Sequence, residues 1–188
     1  RPGDRVVAAN SAPCGECHYC RKSNQNLCSD LLFNNGAYAE YMRIPSRIVE
    51  RNTYHVPEHV TYQDAALIEP LACVMKGADE SGLKAGDDVV VIGRGPIGLM
   101  FVRLAKVRGA RVIAVGRRRT QVDRAARMGA DELIVSAGET DVVAEVRKLT
   151  GGHGADVAIE AVGIPETWEQ AVRMVRRGGV VNFFGGCP

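Results

Sequence analysis

Four cysteines near the start of the chain have a spacing suited to metal binding. Two residues separate Cys14 from Cys17 and Cys17 from Cys20, and Cys28 follows after seven more. Thiolates this close in sequence can surround one tetrahedral zinc ion, because tight turns bring their sulfur atoms within bonding distance. The set supplies all four ligands and leaves no position for a substrate. The spacing therefore predicts a structural zinc site.

Other roles for these cysteines are weaker. A disulfide framework is disfavoured because the chain shows no apolar signal segment and because Cys73 and Cys187 stand alone in apolar surroundings. The first three cysteines match the start of a bacterial ferredoxin cluster, but the fourth follows after seven residues rather than three, and Ser29 replaces the expected proline. Zinc ribbons that bind nucleic acid use two separated pairs. Structural zinc is favoured, with an iron–sulfur cluster as the sharper alternative.

A glycine-rich segment follows a strand-like run at 88–92. It reads Gly93-Arg94-Gly95-Pro96-Ile97-Gly98, a dinucleotide-binding pattern in the context that it requires. Gly93 permits the tight turn, Gly95 lets the backbone approach a pyrophosphate, and Gly98 lets the helix lie against the sheet. The helix N-terminus then offers N–H groups to the phosphates. Because further strand–helix units follow, nucleotide binding is favoured over a purely structural turn.

The residues after the second strand of this region bear on cofactor choice. Dinucleotide-binding folds usually carry an acid there, which hydrogen-bonds the adenosine ribose of NAD. Here Gly116 and Arg117 follow Val115, and the acid is missing. A guanidinium group can grip a ribose 2′-phosphate with two hydrogen bonds, which favours NADP over NAD. A solvated basic helix entry and an arginine stacked on adenine stay open as alternatives.

Alternating elements in the second half of the chain predict the fold class. Strands are predicted at 88–92, 111–115, 132–135, 156–160 and 179–184, and helices at 96–108, 121–128, 141–149 and 165–176. Repeated strand–helix units imply a doubly wound parallel sheet of the Rossmann type, an α/β fold with helices on both faces. Gly109 and Gly129 are predicted to end helices in left-handed conformations, and Thr120 with Asp123 to cap the second helix.

The first part of the chain has a different character, and the division falls near residue 82. Short strands are predicted at 4–8, 37–44 and 48–49. A helix is predicted over 61–80, with Thr61 as its N-cap and Asp64 completing the cap. We expect two domains, residues 1–81 and residues 82–188.

Composition excludes several classes of partner. The 188 residues carry a net charge of +2, which indicates neither a nucleic-acid nor a membrane partner. No apolar stretch approaches the about 20 residues needed to span a bilayer. Cysteines held as thiolates on zinc imply a reducing compartment, so we expect a cytoplasmic protein.

Motifs along essentially the whole chain resemble those of one enzyme family. They are Pro2-Gly3-Asp4-Arg5-Val6, the four cysteines, Gly36-Ala37-Tyr38-Ala39-Glu40-Tyr41, Glu69-Pro70-Leu71-Ala72, the glycine-rich segment, and Gly154-Ala155-Asp156-Val157 through Ala161-Val162-Gly163. The sequence resembles the zinc-containing medium-chain alcohol/polyol dehydrogenases, which include sorbitol and threonine dehydrogenases. The resemblance implies a GroES-like catalytic domain with a structural zinc lobe, here partial, joined to an NAD(P)-binding domain that is incomplete at its C-terminus.

The resemblance also implies the chemistry. The family passes a hydride between NAD or NADP and an alcohol or polyol held by a catalytic zinc, and we expect the complete enzyme to be a homo-oligomer. Glu69 stands where other alcohol dehydrogenases place a zinc-binding cysteine, so it is the expected catalytic residue. Backbone near Ala161, Val162 and Gly163, and near 185–186, is expected to line the cofactor cleft.

One part of the family pattern is missing from this sequence. The family holds its catalytic zinc partly by a cysteine and a His-Glu pair that precede the zinc lobe, and this chain contains no His-Glu pair. The chain therefore looks like an internal portion of a longer enzyme and is expected to be inactive by itself. The alternative is a nucleotide-binding module, stabilised by zinc, that does not catalyse turnover.

Overall fold

A computed structural model of the chain describes residues 1–93, 95–138 and 140–186. The chain divides into two compact units, Arg1–Glu69 and a second that begins at Pro70. None of the helices formed by the described residues is long and apolar enough to cross a membrane.

The first unit is built from short elements. These are β1 (Val6–Ala8), β2 (Ser11–Ala12), α1 (His18–Arg21), a 3-10 turn (Gln25–Leu27), β3 (Leu32–Phe33), α2 (Ser46–Asn52), β4 (Thr53–His55) and α3 (Tyr62–Ala65). Antiparallel pairs form between β1 and β4 and between β2 and β3. Isolated two-stranded pairs are only marginally stable, so further contacts must hold the segment between these strands.

Two predicted strands of the first unit are wrong. Residues 37–44 form no strand, and Tyr38 and Tyr41 point outwards with more than nine-tenths of their surface exposed. Their alternating pattern is that of a strand, but no neighbouring strand of the described chain pairs with it. Residues 48–49 lie within α2. The strand prediction failed there because a pair of apolar residues fits a helix as well as a strand. Ile48 is fully buried and Val49 is half exposed, as expected for one face of a helix.

The helix predicted over 61–80 is interrupted. α3 ends at Ala65, a turn covers 66–67, and α4 (Ile68–Glu80) follows. The predicted cap is confirmed, because the Thr61 hydroxyl oxygen accepts a hydrogen bond from the backbone N–H of Asp64 at 3.1 Å. The predicted strand at 4–8 is also present but shorter.

The second unit contains the sheet that the sequence predicts. Its elements after α4 are β5 (Asp88–Ile92), α5 (Pro96–Val107), β6 (Arg111–Gly116), α6 (Arg119–Arg127), β7 (Glu132–Val135), α7 (Val142–Leu149), β8 (Ala155–Glu160), α8 (Pro165–Met174) and β9 (Val175–Phe183). All neighbouring strands are parallel, in the order β7-β6-β5-β8-β9. The doubly wound parallel sheet is confirmed.

Each face of this sheet has its own apolar core. Val89 and Val91 of β5 pack with α5 on one face, and Val90 and Ile92 pack with α7 and α8 on the other. Helices cover both faces, which is why the strands are almost wholly apolar rather than alternating. Burial of each such side chain contributes about 1.5–3 kcal/mol to stability.

Helix ends show where local patterns were sufficient and where they were not. Gly109 and Gly129 adopt the predicted left-handed φ of 82° and 103° just beyond α5 and α6. The cap predicted at Thr120 is wrong, because α6 begins at Arg119, two residues before the predicted start, and its N-cap is Arg118. Helix α8 ends at Met174 rather than 176, and β9 begins directly after it.

The strand order creates a crevice at the carboxyl ends of the strands. From β5 the chain passes through α5 to β6 on one side, and β8 lies on the other side of β5. In open parallel sheets, ligands bind at the carboxyl ends of the strands where the order reverses in this way.

Candidate metal and cofactor sites

The four predicted cysteine ligands come together in the first unit. Their Sγ atoms all lie within 4.8 Å of one another, including 3.5 Å between Cys14 and Cys28 and 3.9 Å between Cys17 and Cys28. A tetrahedral zinc with Zn–S bonds of about 2.3 Å needs sulfur separations of about 3.8 Å. None of the cysteines in the described part of the chain forms a disulfide. The donor set and its spacing therefore fit zinc.

Short turns and backbone N–H groups shape this cluster. The N–H of Cys14 donates to the Sγ of Cys28 at 3.2 Å, and the N–H of Cys17 donates to the Sγ of Cys14 at 3.4 Å. The N–H groups of Cys20 and Ser29 lower the pKa of the Cys17 thiol to about 6. Donors aimed at sulfur stabilise thiolates, which is the form that a metal binds.

Cys20 differs from the other three because it is the most buried. Only 8% of it is exposed, and burial raises the pKa of its thiol to about 12. A bound cation would reverse this, since a coordinating thiol loses its proton outright. Among the described residues, these cysteines are the one group of three or more potential ligands near a common point.

The glycine-rich segment makes the turn that the sequence predicts. Gly93 has a φ of 107°, and α5 begins at Pro96 with Gly95 as its N-cap and no capping side chain. A Cβ on Gly98 would lie 2.2 Å from the carbonyl oxygen of Gly93, whereas a Cβ on Gly95 would meet no atom within 4 Å. Gly98 thus lets the helix pack on the strand, and Gly95 faces open space where a phosphate can approach. Arg94 lies outside the described residues.

The loop after β8 lies against this turn. The N–H of Ala161 donates to the carbonyl of Ile92 at 2.8 Å. A Cβ on Gly93 would lie 2.9 Å from the Ala161 oxygen and 3.0 Å from a methyl carbon of Val162. Gly163 has a φ of 87°. The segments predicted to line the cofactor cleft therefore meet at the carboxyl edge of β5 and β8.

A buried acid that sequence reasoning missed lies beneath this loop. Glu160, the last residue of β8, is fully buried, and its carboxylate accepts hydrogen bonds from Val162, Gly163, Thr167 and Trp168. The available signal was a carboxylate directly after the apolar run at 157–159 of β8.

The end of β6 places a cation, Arg117, at the carboxyl edge of the sheet. Gly116 is the buried last residue of the strand, and Arg117 follows it with its side chain exposed. Arg119, in the first turn of α6, has its Nε 3.3 Å from the Asp123 carboxylate. No ion pair is seen for Arg117 within the described ranges.

Glu69 lies in the first turn of α4, and its side chain is exposed. The apolar neighbours of Glu69 are Leu67 in the preceding turn and Ile68 and Leu71 on this helix, and each is between 40% and 47% exposed. One carboxylate cannot hold a catalytic zinc alone, because such sites take three protein ligands. Among the described residues, no group of three or more potential metal ligands includes Glu69.

Two family models match the chain. One, described as zinc-binding dehydrogenase, matches residues 96–188, and one, described as the alcohol dehydrogenase GroES-like domain, matches residues 1–58. The predicted GroES-like character of the first part is thereby confirmed.

Curated relatives agree with these matches. The chain is 33% identical to sorbitol dehydrogenase of Bacillus subtilis (strain 168), over 97% of this chain and 52% of the relative. It is 36% identical to erythritol/L-threitol dehydrogenase of Mycolicibacterium smegmatis, over 94% of this chain and 50% of the relative. The chain thus spans about half the length of the curated relatives it matches. Their names do not bear out the expectation that this chain is inactive by itself.

A solved structure supports the same fold. The chain is similar to a zinc-binding dehydrogenase from Sinorhizobium meliloti 1021 bound to NADP, with a TM-score of 0.90 and 34% identity. The alignment covers 100% of this chain and 56% of that chain.

Proposed function

Because the chain belongs to the zinc-containing medium-chain alcohol/polyol dehydrogenases, we propose that it serves hydride transfer between NADP and an alcohol or polyol. The observation that carries the proposal is the carboxyl edge of the sheet. There the turn at Gly93, the uncapped start of α5 and the loop after β8 leave a crevice for a dinucleotide. Relatives that act on sorbitol and on erythritol or threitol favour a polyol.

Each part of the chain has a distinct role in this proposal. Residues 82–188 bind the cofactor, with the pyrophosphate at the N-terminus of α5 and the adenosine ribose near Gly116. Residues 1–81 contribute the structural zinc lobe at Cys14, Cys17, Cys20 and Cys28. We expect the protein to act in the cytoplasm as a homo-oligomer.

The reaction needs a Lewis acid and a hydride acceptor, which zinc and the nicotinamide cofactor supply. When bound, a catalytic zinc lowers the pKa of the alcohol as a Lewis acid, and nicotinamide accepts the hydride. The chain itself orients the cofactor, and it keeps the glycine turn and the loop after β8 at a fixed separation. Glu69 is proposed to contribute one carboxylate to the metal in the complete protein.

The proposal is tested by steady-state assays of the protein as its gene encodes it. With zinc present, we expect a panel of polyols and simple alcohols to reduce NADP, followed by the absorbance of the reduced nicotinamide. Glu69→Ala should lower turnover by about 100-fold, which is the upper end of the effect of losing a group that orients a catalytic metal.

Glu80→Ala is the matched control for this experiment. Glu80 lies at the other end of α4 in a surface ion pair with Lys76, and its loss should leave turnover unchanged. Unchanged turnover in Glu69→Ala would contradict the role given to Glu69. Tight NADPH binding without turnover of any substrate would favour the alternative, a zinc-stabilised nucleotide-binding module.

Cofactor choice is tested separately by Arg117→Ala. Loss of a charge-assisted contact to the 2′-phosphate should weaken NADPH binding by about 10- to 100-fold. The affinity for NADH should not change, because NADH lacks that phosphate. Isothermal titration with both cofactors gives the comparison.

An arginine of the same helix serves as the control for charge alone. Arg127 is exposed in the last turn of α6, and Arg127→Ala removes the same charge far from the end of β6. Equal loss of NADPH affinity in both variants would show a diffuse electrostatic effect. Tighter binding of NADH than of NADPH by the unmodified chain would reject NADP as the cofactor.

A further inference from the structure

Among the described residues of the sheet, Glu160 is the one fully buried carboxylate, whereas Asp88, Glu132 and Asp156 are partly exposed. Its Oε1 accepts from the N–H of Val162 at 2.7 Å, from the N–H of Gly163 at 3.0 Å and from the hydroxyl of Thr167 at 2.8 Å. Its Oε2 accepts from the indole N–H of Trp168 at 3.1 Å and from Gly163 at 3.2 Å. A buried carboxylate is tolerated only when its oxygens are satisfied in this way.

Every one of these donors belongs to the segment that leaves β8. Two are backbone groups of the loop and two are side chains in the first turn of α8. The carboxylate thus organises one loop rather than joining distant parts of the core. Because each partner is an N–H or O–H, the position needs a group that only accepts hydrogen bonds.

The loop is held tightly from both sides. Toward β5, a Cβ on Gly93 would lie 3.0 Å from a methyl carbon of Val162. Toward β9, a Cβ on Gly185 would lie 2.6 Å from the Oε2 of Glu160 and 2.4 Å from the nitrogen of Gly163. Shifts of a few tenths of an ångström in this loop therefore reach the glycine turn directly.

The loop occupies the half of the crevice opposite the adenosine side. Gly116 marks the adenosine side at the end of β6, and β5 lies between β6 and β8. A dinucleotide that crosses the carboxyl edge of β5 therefore places its nicotinamide half beside the loop after β8. Val162 is 47% exposed there, so its side chain is available to contact a ring.

We propose that Glu160 is the positioning residue for the nicotinamide half of the cofactor. Its carboxylate fixes the loop at Ala161, Val162 and Gly163 as the wall against which the ring lies. The inference rests on the proposed function, because it assumes that a nicotinamide dinucleotide binds at this edge. Stability alone is a weak reason for a buried charge here, since proteins in which apolar residues replace buried ionic groups are often equally stable.

Glu160→Gln tests the inference. The amide keeps the shape of the carboxylate, but an NH₂ group replaces one of the accepting oxygens and then faces N–H donors. We expect NADPH to bind about tenfold more weakly, as when one hydrogen bond to a charged group is lost. The affinity for 2′-phospho-ADP-ribose, which lacks the nicotinamide, should stay unchanged. Glu160→Asp, which still only accepts, should recover part of the NADPH affinity.

Glu166→Gln is the matched control, because Glu166 is exposed in the same first turn of α8 and its side chain has one hydrogen bond among the described residues, from Gln170 at 3.4 Å. It should change neither affinity. If Glu160→Gln does not fold, Trp168→Phe removes one donor to the carboxylate and should show the same selective loss on a smaller scale.

The possible failures are distinguishable. An unmodified chain that binds neither NADPH nor 2′-phospho-ADP-ribose would overturn the proposed function itself. An unmodified chain that binds both, with variants that lose the two affinities equally or keep both, would overturn only the positioning role of Glu160.

Discussion

Cys20→Ser is expected to empty the metal site and unfold the segment between β2 and β3. The zinc content should fall from about one ion per chain to near zero, because a tetrahedral site that loses its most buried thiolate no longer closes. The segment has only a four-residue helix and a 3-10 turn, with no apolar core of its own among the described residues. Structural zinc sites supply about 10–16 kcal/mol, which is folding energy in such segments.

Elemental analysis and limited proteolysis followed by mass spectrometry measure this result. New cleavages should map between residues 13 and 31, while the parallel sheet keeps its protection because it has separate cores. Cys73→Ser is the control, since Cys73 lies on α4 outside the cluster. Iron with visible charge-transfer absorbance, or zinc retained at one per chain in Cys20→Ser, would contradict the site.

Gly98→Ala is expected to destabilise the second unit strongly. The new Cβ would lie 2.2 Å from the carbonyl oxygen of Gly93 and 2.7 Å from its carbon, so backbone must move. Overpacking against backbone costs about 1–3 kcal/mol or more, and we expect at least the upper end of that range. Denaturant unfolding, followed by circular dichroism, gives the change in the free energy of unfolding.

Gly95→Ala separates stability from ligand binding at the same turn. Gly95 has an extended backbone with a φ of −69°, and a Cβ there would meet no atom within 4 Å. Stability should therefore stay within about 0.5 kcal/mol of the unmodified chain. NADPH binding should weaken at least about tenfold, because the methyl group occupies the space that the pyrophosphate approaches. The reverse pattern in the two variants would refute the roles assigned to these glycines.

Sequence patterns were most accurate where burial decides the structure locally. The strands at Asp88–Ile92 and Glu132–Val135 have the predicted bounds, since continuous apolar runs between glycines fit a sheet covered on both faces. The cysteine cluster was also predictable, because its ligands lie within fifteen residues and need only local turns.

Features that depend on distant partners were not predictable. Residues 37–44 alternate like a strand but have no partner strand in the described chain. The junction of α8 and β9 depends on tertiary contacts. The Arg147 guanidinium donates a hydrogen bond to the Arg173 carbonyl at 2.9 Å, and Arg176 and Asp156 form an ion pair at 2.6 Å. The role of Glu160 depends on donors two to eight residues further along the chain, which fold back onto it only when the loop is formed.

Isotope transfer tests the central claim most directly. The protein as its gene encodes it is incubated with zinc, NADP and a polyol that carries deuterium at its carbinol carbons, and the cofactor is analysed by mass spectrometry. The account predicts one deuterium on each reduced cofactor, with the rate of transfer lowered about 100-fold in Glu69→Ala. A zinc-loaded protein that binds NADPH but moves no deuterium from any polyol or alcohol tested would contradict it.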